Sequence, residues 1–356
     1  MRAANAAEEA PMTLYRRLVL AALALTTLVV VFGAYVRLSD AGLGCPDWPG
    51  CYGRLTPHHA AADILQTHAA DPHGPVSLPK AWKEMIHRYL AASLGLLIVA
   101  IAVLAWRRRD DPASSPRVAA GLVGLVIFQG LLGKWTVTLL LKPAIVTAHL
   151  LGGLATLGLL AWLALKASRR PHVAVSRGLL GAARFAFVLL AVQIMLGGWT
   201  STNYAALACS DFPACQGSFW PPADYTGAFQ VVRELGMTAD GEILLFAALT
   251  AIHWSHRIGA ALTALALSLL AWALFRRRAT RVAGLALFAV LALQTALGVA
   301  NVLLSLPLPL AVAHNAGAAL LVSVMVTINY RMRAMPRLAA VGRSEHERPE
   351  HKNSYA

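Results

Sequence analysis

The chain has 356 residues, of which 58% are hydrophobic and only 13% charged, with a net charge of +14 and a mean hydropathy of +0.59. A soluble domain carries about 25% charged residues, so this composition excludes a water-soluble globule, a disordered chain, a collagen-like fibre and a nucleic-acid reader. The basic excess reads instead as loop charge on one side of a membrane, and four cysteines are too few for a disulfide scaffold.

Apolar stretches near the ~20 residues that span a bilayer follow one another along the chain. They fall at 18–36, 89–106, 118–141 (interrupted by Lys134), 143–165, 185–204, 243–275 (interrupted by His256 and Arg257), 282–306 and 310–330. Pro307 and Pro309 mark a tight reversal between the last two. The first stretch is too long for the core of a signal peptide, and no small-residue cleavage site follows it; Glu8 and Glu9 do not suit a transit peptide. The expectation is an all-α membrane protein with eight transmembrane helices.

Of the 31 Lys and Arg residues, 22 fall at alternate ends of these stretches, in the N-terminus, in the runs 107–117, 166–184 and 276–281, and in the tail. The positive-inside bias therefore places both termini in the cytoplasm.

An internal repeat organises the chain. Residues 33–51 match residues 197–215 without a gap, pairing Gly33 with Gly197, Leu43 with Leu207, Cys45 with Cys209, Asp47 with Asp211, Pro49 with Pro213 and Cys51 with Cys215. Further on, His87-Arg88 pairs with His256-Arg257, Gln129 and Gly133 with Gln294 and Gly298, and Ala148-His149 with Ala313-His314. The spans thus form two tandem pseudo-symmetric four-helix bundles. An even number of spans per unit means that both enter the membrane in the same direction, a parallel repeat. The expected divisions are a cytoplasmic N-terminus (1–17), an N-terminal half (18–166), a cytoplasmic linker (167–184), a C-terminal half (185–331) and a disordered cytoplasmic tail (332–356).

Each half keeps one histidine at the start of its second span (His87, His256) and one near the start of its fourth (His149, His314). Paired imidazoles facing each other in a bundle core can hold a haem iron through two axial positions. A lone intramembrane histidine more often makes an interhelical hydrogen bond, but two pairs in register within a duplication favour haem. Zinc is a weaker rival, because no cysteine or carboxylate cluster accompanies each pair.

The cysteines form two Cys-x5-Cys pairs in the long outer loops, where an oxidising exterior permits disulfides. The spacing reads first as structural staples, with a redox role as the alternative. His58, His59, His68 and His73 have no counterparts in the second half and read as solvated loop histidines. Glu84 precedes His87 by three residues and shares its helix face; its counterpart is His253. A carboxylate in only one half suggests that only that half carries out proton chemistry. Arg88 and Arg257 read either as partners of haem propionates or as interfacial anchors.

The run VRLSDAGLGCPDWPGC, followed by EMIHR, TAH, HR and AH across eight spans, resembles the heme A synthase family from about Tyr15 to Arg331. The resemblance implies a membrane oxidoreductase that converts the C8 methyl of heme O to a formyl group by successive hydroxylation. It further implies that His256 and His314 hold a resident heme b, with Arg257 beside them. His87 and His149 would hold the substrate haem, with Arg88 beside them and Glu84 essential. Cys45 and Cys51 are implied as a catalytically relevant pair, and Cys209 and Cys215 as a disulfide; the implied bonds are Cys45–Cys51 and Cys209–Cys215. His253 has no role in the resemblance. The setting is the bacterial inner membrane, with the cysteine loops on the periplasmic side, a heme O synthase and an unidentified electron acceptor as partners, lipid around the spans, and no nucleic acid. A bis-haem electron carrier and a haem transporter are the alternative classes.

Overall fold

The computed structural model describes residues 13–335; the start of the expected N-terminal segment and most of the expected tail lie outside the described residues. In chain order the elements are α1 (Leu14–Leu38), α2 (Ala61–Ala70), α3 (Leu78–Arg107), α4 (Pro116–Thr138), α5 (Pro143–Ala167) and β1 (Val173–Val175). They continue as α6 (Arg177–Thr202), α7 (Tyr225–Ala228), α8 (Phe246–Phe275), α9 (Arg281–Leu303), α10 (Leu308–Arg331) and β2 (Met332–Ala334). Among the described residues eight helices, all but α2 and α7, are long and apolar enough to cross a membrane.

Local chemistry sets where several of these helices start. The Thr13 hydroxyl accepts the Arg16 N–H at 3.3 Å, and Ser176 accepts that of Leu179 at 3.3 Å, satisfying donors that a helix N-terminus leaves free. Proline stands in the first turn of α3, α4, α5 and α10, where its missing N–H costs nothing. The helix α3 begins at Leu78, well before the apolar boundary at 89, because hydropathy marks the lipid-facing length and not the helix. At 1.5 Å per residue, its 30 residues reach about 45 Å, beyond the ~30 Å hydrocarbon core. His87 consequently lies well inside α3, not at its start, and His256 likewise lies inside α8, which begins at Phe246.

The helices α1, α3, α4 and α5 pack in a ring, each against its two neighbours, and α6, α8, α9 and α10 repeat that ring. The rings join through α1 against α10, α5 against α6, and α5 against α10. Without a hydrophobic drive between helices in lipid, close van der Waals packing has to hold them. Val19, Leu94, Ile98, Ile101, Leu122 and Leu160 fill the first ring. A larger cluster including Leu157, Leu267, Leu274, Leu287 and Met325 fills the second and runs into the joint. There Gly158 lets α5 approach Val322 and Val326 of α10.

A small parallel pairing was not foreseen. Strand β1 pairs with β2 in the register Val173↔Met332, Ala174↔Arg333, Val175↔Ala334, and the Met335 N–H donates to the Val175 carbonyl at 2.9 Å. The first residues of the expected disordered tail are therefore ordered, and they fasten the end of α10 to the linker between the halves.

At the opposite end the outer loops close over the bundles. Arg37 donates to the Ser201 carbonyl at 3.0 Å and lies 4.3 Å from the Tyr204 ring centroid, and Lys142 pairs with Glu234 at 2.7 Å. Both contacts cross between the halves. The second loop is built around Arg233, which is only 4% exposed. It donates to Asn203 Oδ1 at 2.5 Å and to the carbonyls of Gln230 at 3.1 Å and Met237 at 3.0 Å. Arg233→Met would leave the buried Asn203 Oδ1 without this donor, at a cost of about 1–3 kcal/mol. Thermal unfolding of the detergent-purified protein checks this, with earlier proteolysis in 203–246 as the local sign.

Candidate functional site

Each of the four histidines stands against a glycine of a neighbouring helix. A Cβ added to Gly33 of α1 would lie 2.7 Å from the His87 ring, and one on Gly197 of α6 would lie 2.9 Å from the His256 ring. A Cβ on Gly298 of α9 would lie 3.1 Å from the His314 ring, and one on Gly133 of α4 would lie 3.6 Å from the His149 ring. Such spacing leaves no room for a side chain at Gly33 and Gly197 unless the ring shifts, and makes Gly298 tight. His87 thus projects from α3 onto α1 and His149 from α5 onto α4, so the two come from different sides of one ring. His256 against α6 and His314 against α9 repeat the arrangement.

The imidazoles are poorly satisfied by the protein. His87, His149 and His314 each bury Nδ1 with no hydrogen-bond partner among the described residues. Buried polar atoms are rarely left so. Among the described residues no group of three or more His, Cys, Asp or Glu side chains is placed to hold a metal ion.

The disulfide loops sit directly above these pairs, and the two are built alike. Cys45–Cys51 and Cys209–Cys215 are bonded and fully buried. The Asp47 carboxylate accepts the N–H groups of Tyr52 and Gly53, both at 2.7 Å, and Asp211 accepts those of Gln216 and Gly217 at 2.7 and 2.9 Å. These bonds explain why Asp47 and Asp211 recur in the repeat. The Gly217 N–H, with that of Gln216, holds the Asp211 carboxyl below the usual carboxylate range. Tyr52 and Gln216 both adopt positive φ, each followed by a glycine that does the same. At Gly44 a Cβ would meet the α3 backbone at Lys80 at 2.6 Å, so only glycine lets the first loop lie this close.

One arginine from each histidine helix fastens the loop. Arg88 donates to the carbonyls of Asp47 at 2.9 Å, Pro49 at 3.2 Å and Gly50 at 2.5 Å. Arg257 donates to Asp211 and Ala214, both at 2.7 Å, and to Cys209 at 2.8 Å. Their guanidinium groups are therefore turned into the loops, where the sequence had offered them to propionates.

The two halves differ at the residue one turn before each of these arginines. Glu84, 5% exposed, accepts the Cys45 N–H at 2.9 Å and pairs with Arg88. His253 occupies the same node: Cys209 N lies 3.3 Å from its Nδ1 and Arg257 Nε 3.2 Å from its Nε2, and the neutral ring accepts at one of the two. The residue that the sequence left without a role is the imidazole replacement for Glu84, linking histidine helix, arginine and disulfide loop.

The loop histidines stay apart from both sites. His59 bonds Thr56 at 2.8 Å, and His68 bonds the Val76 carbonyl at 3.1 Å. Sequence reasoning missed two contributors. Gln193 Nε2 approaches His256 Nδ1 at 2.9 Å and donates to its carbonyl at 3.1 Å, and Gln294 Nε2 approaches His314 Nε2 at 3.3 Å. Gln294 carried a signal through its repeat match to Gln129. Gln193 carried none, since Val29 stands at its equivalent position.

Fold and site together define a duplicated helical membrane protein with one histidine pair in the core of each bundle. Residues 16–326 match the family described as cytochrome oxidase assembly protein. A heme A synthase from Shewanella oneidensis is 45% identical over 311 residues, 86% of this chain and 93% of that protein. Heme A synthases from Caulobacter vibrioides (30% over 341 residues, 87% and 93%) and Shouchella clausii (31% over 314 residues, 85% and 90%) are similar over comparable spans. The chain belongs to the heme A synthase family.

Because Cys209 and Cys215 anchor the loop that covers the second pair, Cys209→Ser should lower stability by ~2–4 kcal/mol. The unfolding midpoint of the oxidised protein, compared with that of the variant, measures it.

Proposed function

We propose that this chain is a membrane-bound oxidoreductase that converts heme O to heme A. In this reading His87 and His149 hold the substrate haem in the N-terminal half (18–166), and His256 and His314 hold a resident heme b in the C-terminal half (185–331). The observation that carries the assignment is the fourfold histidine–glycine contact. Two pairs of imidazoles are pressed into bundle cores with ring nitrogens that the protein leaves unsatisfied. Two neutral imidazoles from opposing helices are a donor set that suits a haem iron. Family membership and the 45% identity to a heme A synthase support the activity.

Conversion of a methyl to a formyl group removes four electrons, and a heme b in the second half would give those electrons a one-electron route out of the substrate site. The chain's own part is to hold, to exclude water and to manage protons. Arg88 and Arg257 act through the loops they hold, closing each pair from outside. Glu84 is the carboxylate at this node, and its position beside Cys45 gives the first half a carboxylate where the second half has the imidazole of His253. That difference supports placing the chemistry in the N-terminal half, with Cys45–Cys51 as part of its roof.

The Arg-rich ends of the helices at 107–117, 166–184 and 276–281 support cytoplasmic termini and periplasmic cysteine loops in a bacterial inner membrane. The reading calls for a heme O synthase to supply the substrate and for an acceptor to take the electrons.

Two measurements test it. Replacing His256 or His314 by Leu should remove the low-spin bis-histidine spectrum of the purified protein; an unchanged spectrum and haem content in both variants would reject the assignment. In Glu84→Gln, which keeps the shape and removes the charge, the ratio of heme A to heme O in membranes should fall on the order of 100-fold. The haem of the second half should remain. Near wild-type heme A would reduce Glu84 to a tie for the loop.

A further inference from the structure

We infer that Lys83, set over the Tyr35 ring at the seam between α1 and α3, is the seat for a carboxylate of the haem that exchanges in the N-terminal half. The inference rests on the proposed haem ligation. It adds the group that recognises the substrate and a reason why the other site stays closed.

Matched positions of the two halves differ in what covers them. Pro79, Trp82 and Lys83 of α3 match Ala248, Ala251 and Ile252 of α8, and Tyr35 of α1 matches Trp199 of α6. In the second half all four are buried: Ala248 and Ala251 are 0% exposed, Ile252 1% and Trp199 8%. The segment around α7 lies over them. The Trp199 indole N–H donates to the Ala228 carbonyl at 2.9 Å, and the Asp224 N–H to the Ala247 carbonyl at 3.0 Å. Arg233 completes the cover, 5.6 Å from the Trp199 ring centroid and bonded to Asn203, Gln230 and Met237. In the first half Pro79 is exposed, and Trp82, Lys83 and Tyr35 are half-buried. There the loop helix α2 lies on another face of α3, where Ile64 packs with Ala81 and Met85. The seam is therefore closed over the second pair and uncovered over the first.

The uncovered seam carries a cation that the protein leaves unused. Lys83 Nζ lies 4.9 Å from the Tyr35 ring centroid, as Arg233 lies over Trp199, but among the described residues Lys83 takes part in no ion pair. The neighbouring Glu84 is already engaged by Cys45 and Arg88. Lys83 stands four residues before His87, on the same helix face and about 6 Å further out along α3. A row of rings joins the two: Tyr35 lies 5.7 Å from Phe32, and Phe32 6.4 Å from His87, between centroids. A haem is an apolar disc with carboxylates along one edge. An aromatic wall that leads from a histidine to a half-buried ammonium matches both parts, and an ammonium–carboxylate bond is among the strong hydrogen bonds. In the second half Ile252 takes the place of Lys83 and offers a carboxylate nothing.

The test is titration of the detergent-purified protein with ferric protoporphyrin IX and with its dimethyl ester, followed by the low-spin absorption that each added haem brings. The ester keeps iron and ring and lacks the free carboxylates. The wild-type protein should bind the free acid about tenfold or more tightly than the ester. Lys83→Gln and Lys83→Ile should lose that margin by weakening the acid alone, and Lys83→Arg should keep it. Unchanged binding of the acid in Lys83→Gln overturns the inference, and so does an equal loss for acid and ester, the mark of a structural role. If the variants do not assemble, equal affinity of the wild-type protein for acid and ester overturns it. His87→Leu is the reference: wild-type binding of the acid there means that the ligation reading itself is wrong. Loss of binding in His87→Leu with no effect of Lys83→Gln defeats the lysine role alone.

Discussion

The structure turns on the contact between an imidazole and a glycine across two packed helices. In lipid there is no water to satisfy a buried ring nitrogen, and helices associate through close packing where small residues let them approach. At Gly33 and Gly197 any larger residue would strike the ring, and at Gly298 it would crowd it. The glycines therefore bring the helices together and fix the histidines in the cores at once. The rest of the fold maintains that contact: the ringed arrangement of four helices, the joint along α5 and α10, and the loops above.

Duplication followed by divergence at single positions explains how one architecture could support two tasks. The disulfide loop, its aspartate-held turn and the arginine that grips it recur with little change in both halves. What differs sits where the loop meets the histidine helix, a carboxylate at Glu84 and an imidazole at His253. Both stand between a cysteine N–H and an arginine, so the place in the frame is the same. The carboxylate accepts from Cys45 and from Arg88 at once, whereas the imidazole offers a single acceptor nitrogen. The asymmetry is chemical, laid on a symmetric frame.

Much of this was legible in the sequence, because bilayer spans and repeats leave long-range signals. Eight apolar runs gave the eight long helices, and the match of 33–51 to 197–215 located the histidines, cysteines and aspartates. Helix ends were less legible. The first turns of α3 are polar, with Lys80, Lys83 and Glu84, and hydropathy stops where the lipid does. Arg88 and Arg257 had plausible partners in a haem, and only the fold shows the loop carbonyls that engage them. His253 resisted reading because its counterpart belongs to another residue type. Gln193 has an aliphatic counterpart, and nothing in composition reveals an amide that reaches a ring 63 residues away. The β1–β2 pairing involves only three residues on each side, too short for a pattern.

The central claim is that this chain turns heme O into heme A. Its most direct test is the haem content of membranes from a host that makes heme O but no heme A, with and without this chain, separated by chromatography and identified by mass. The account predicts that a haem bearing a formyl group appears only when the chain is present, at the expense of heme O. Unaltered heme O in both membranes, with the protein present and loaded with haem, would contradict it and leave a haem-binding electron carrier or transporter.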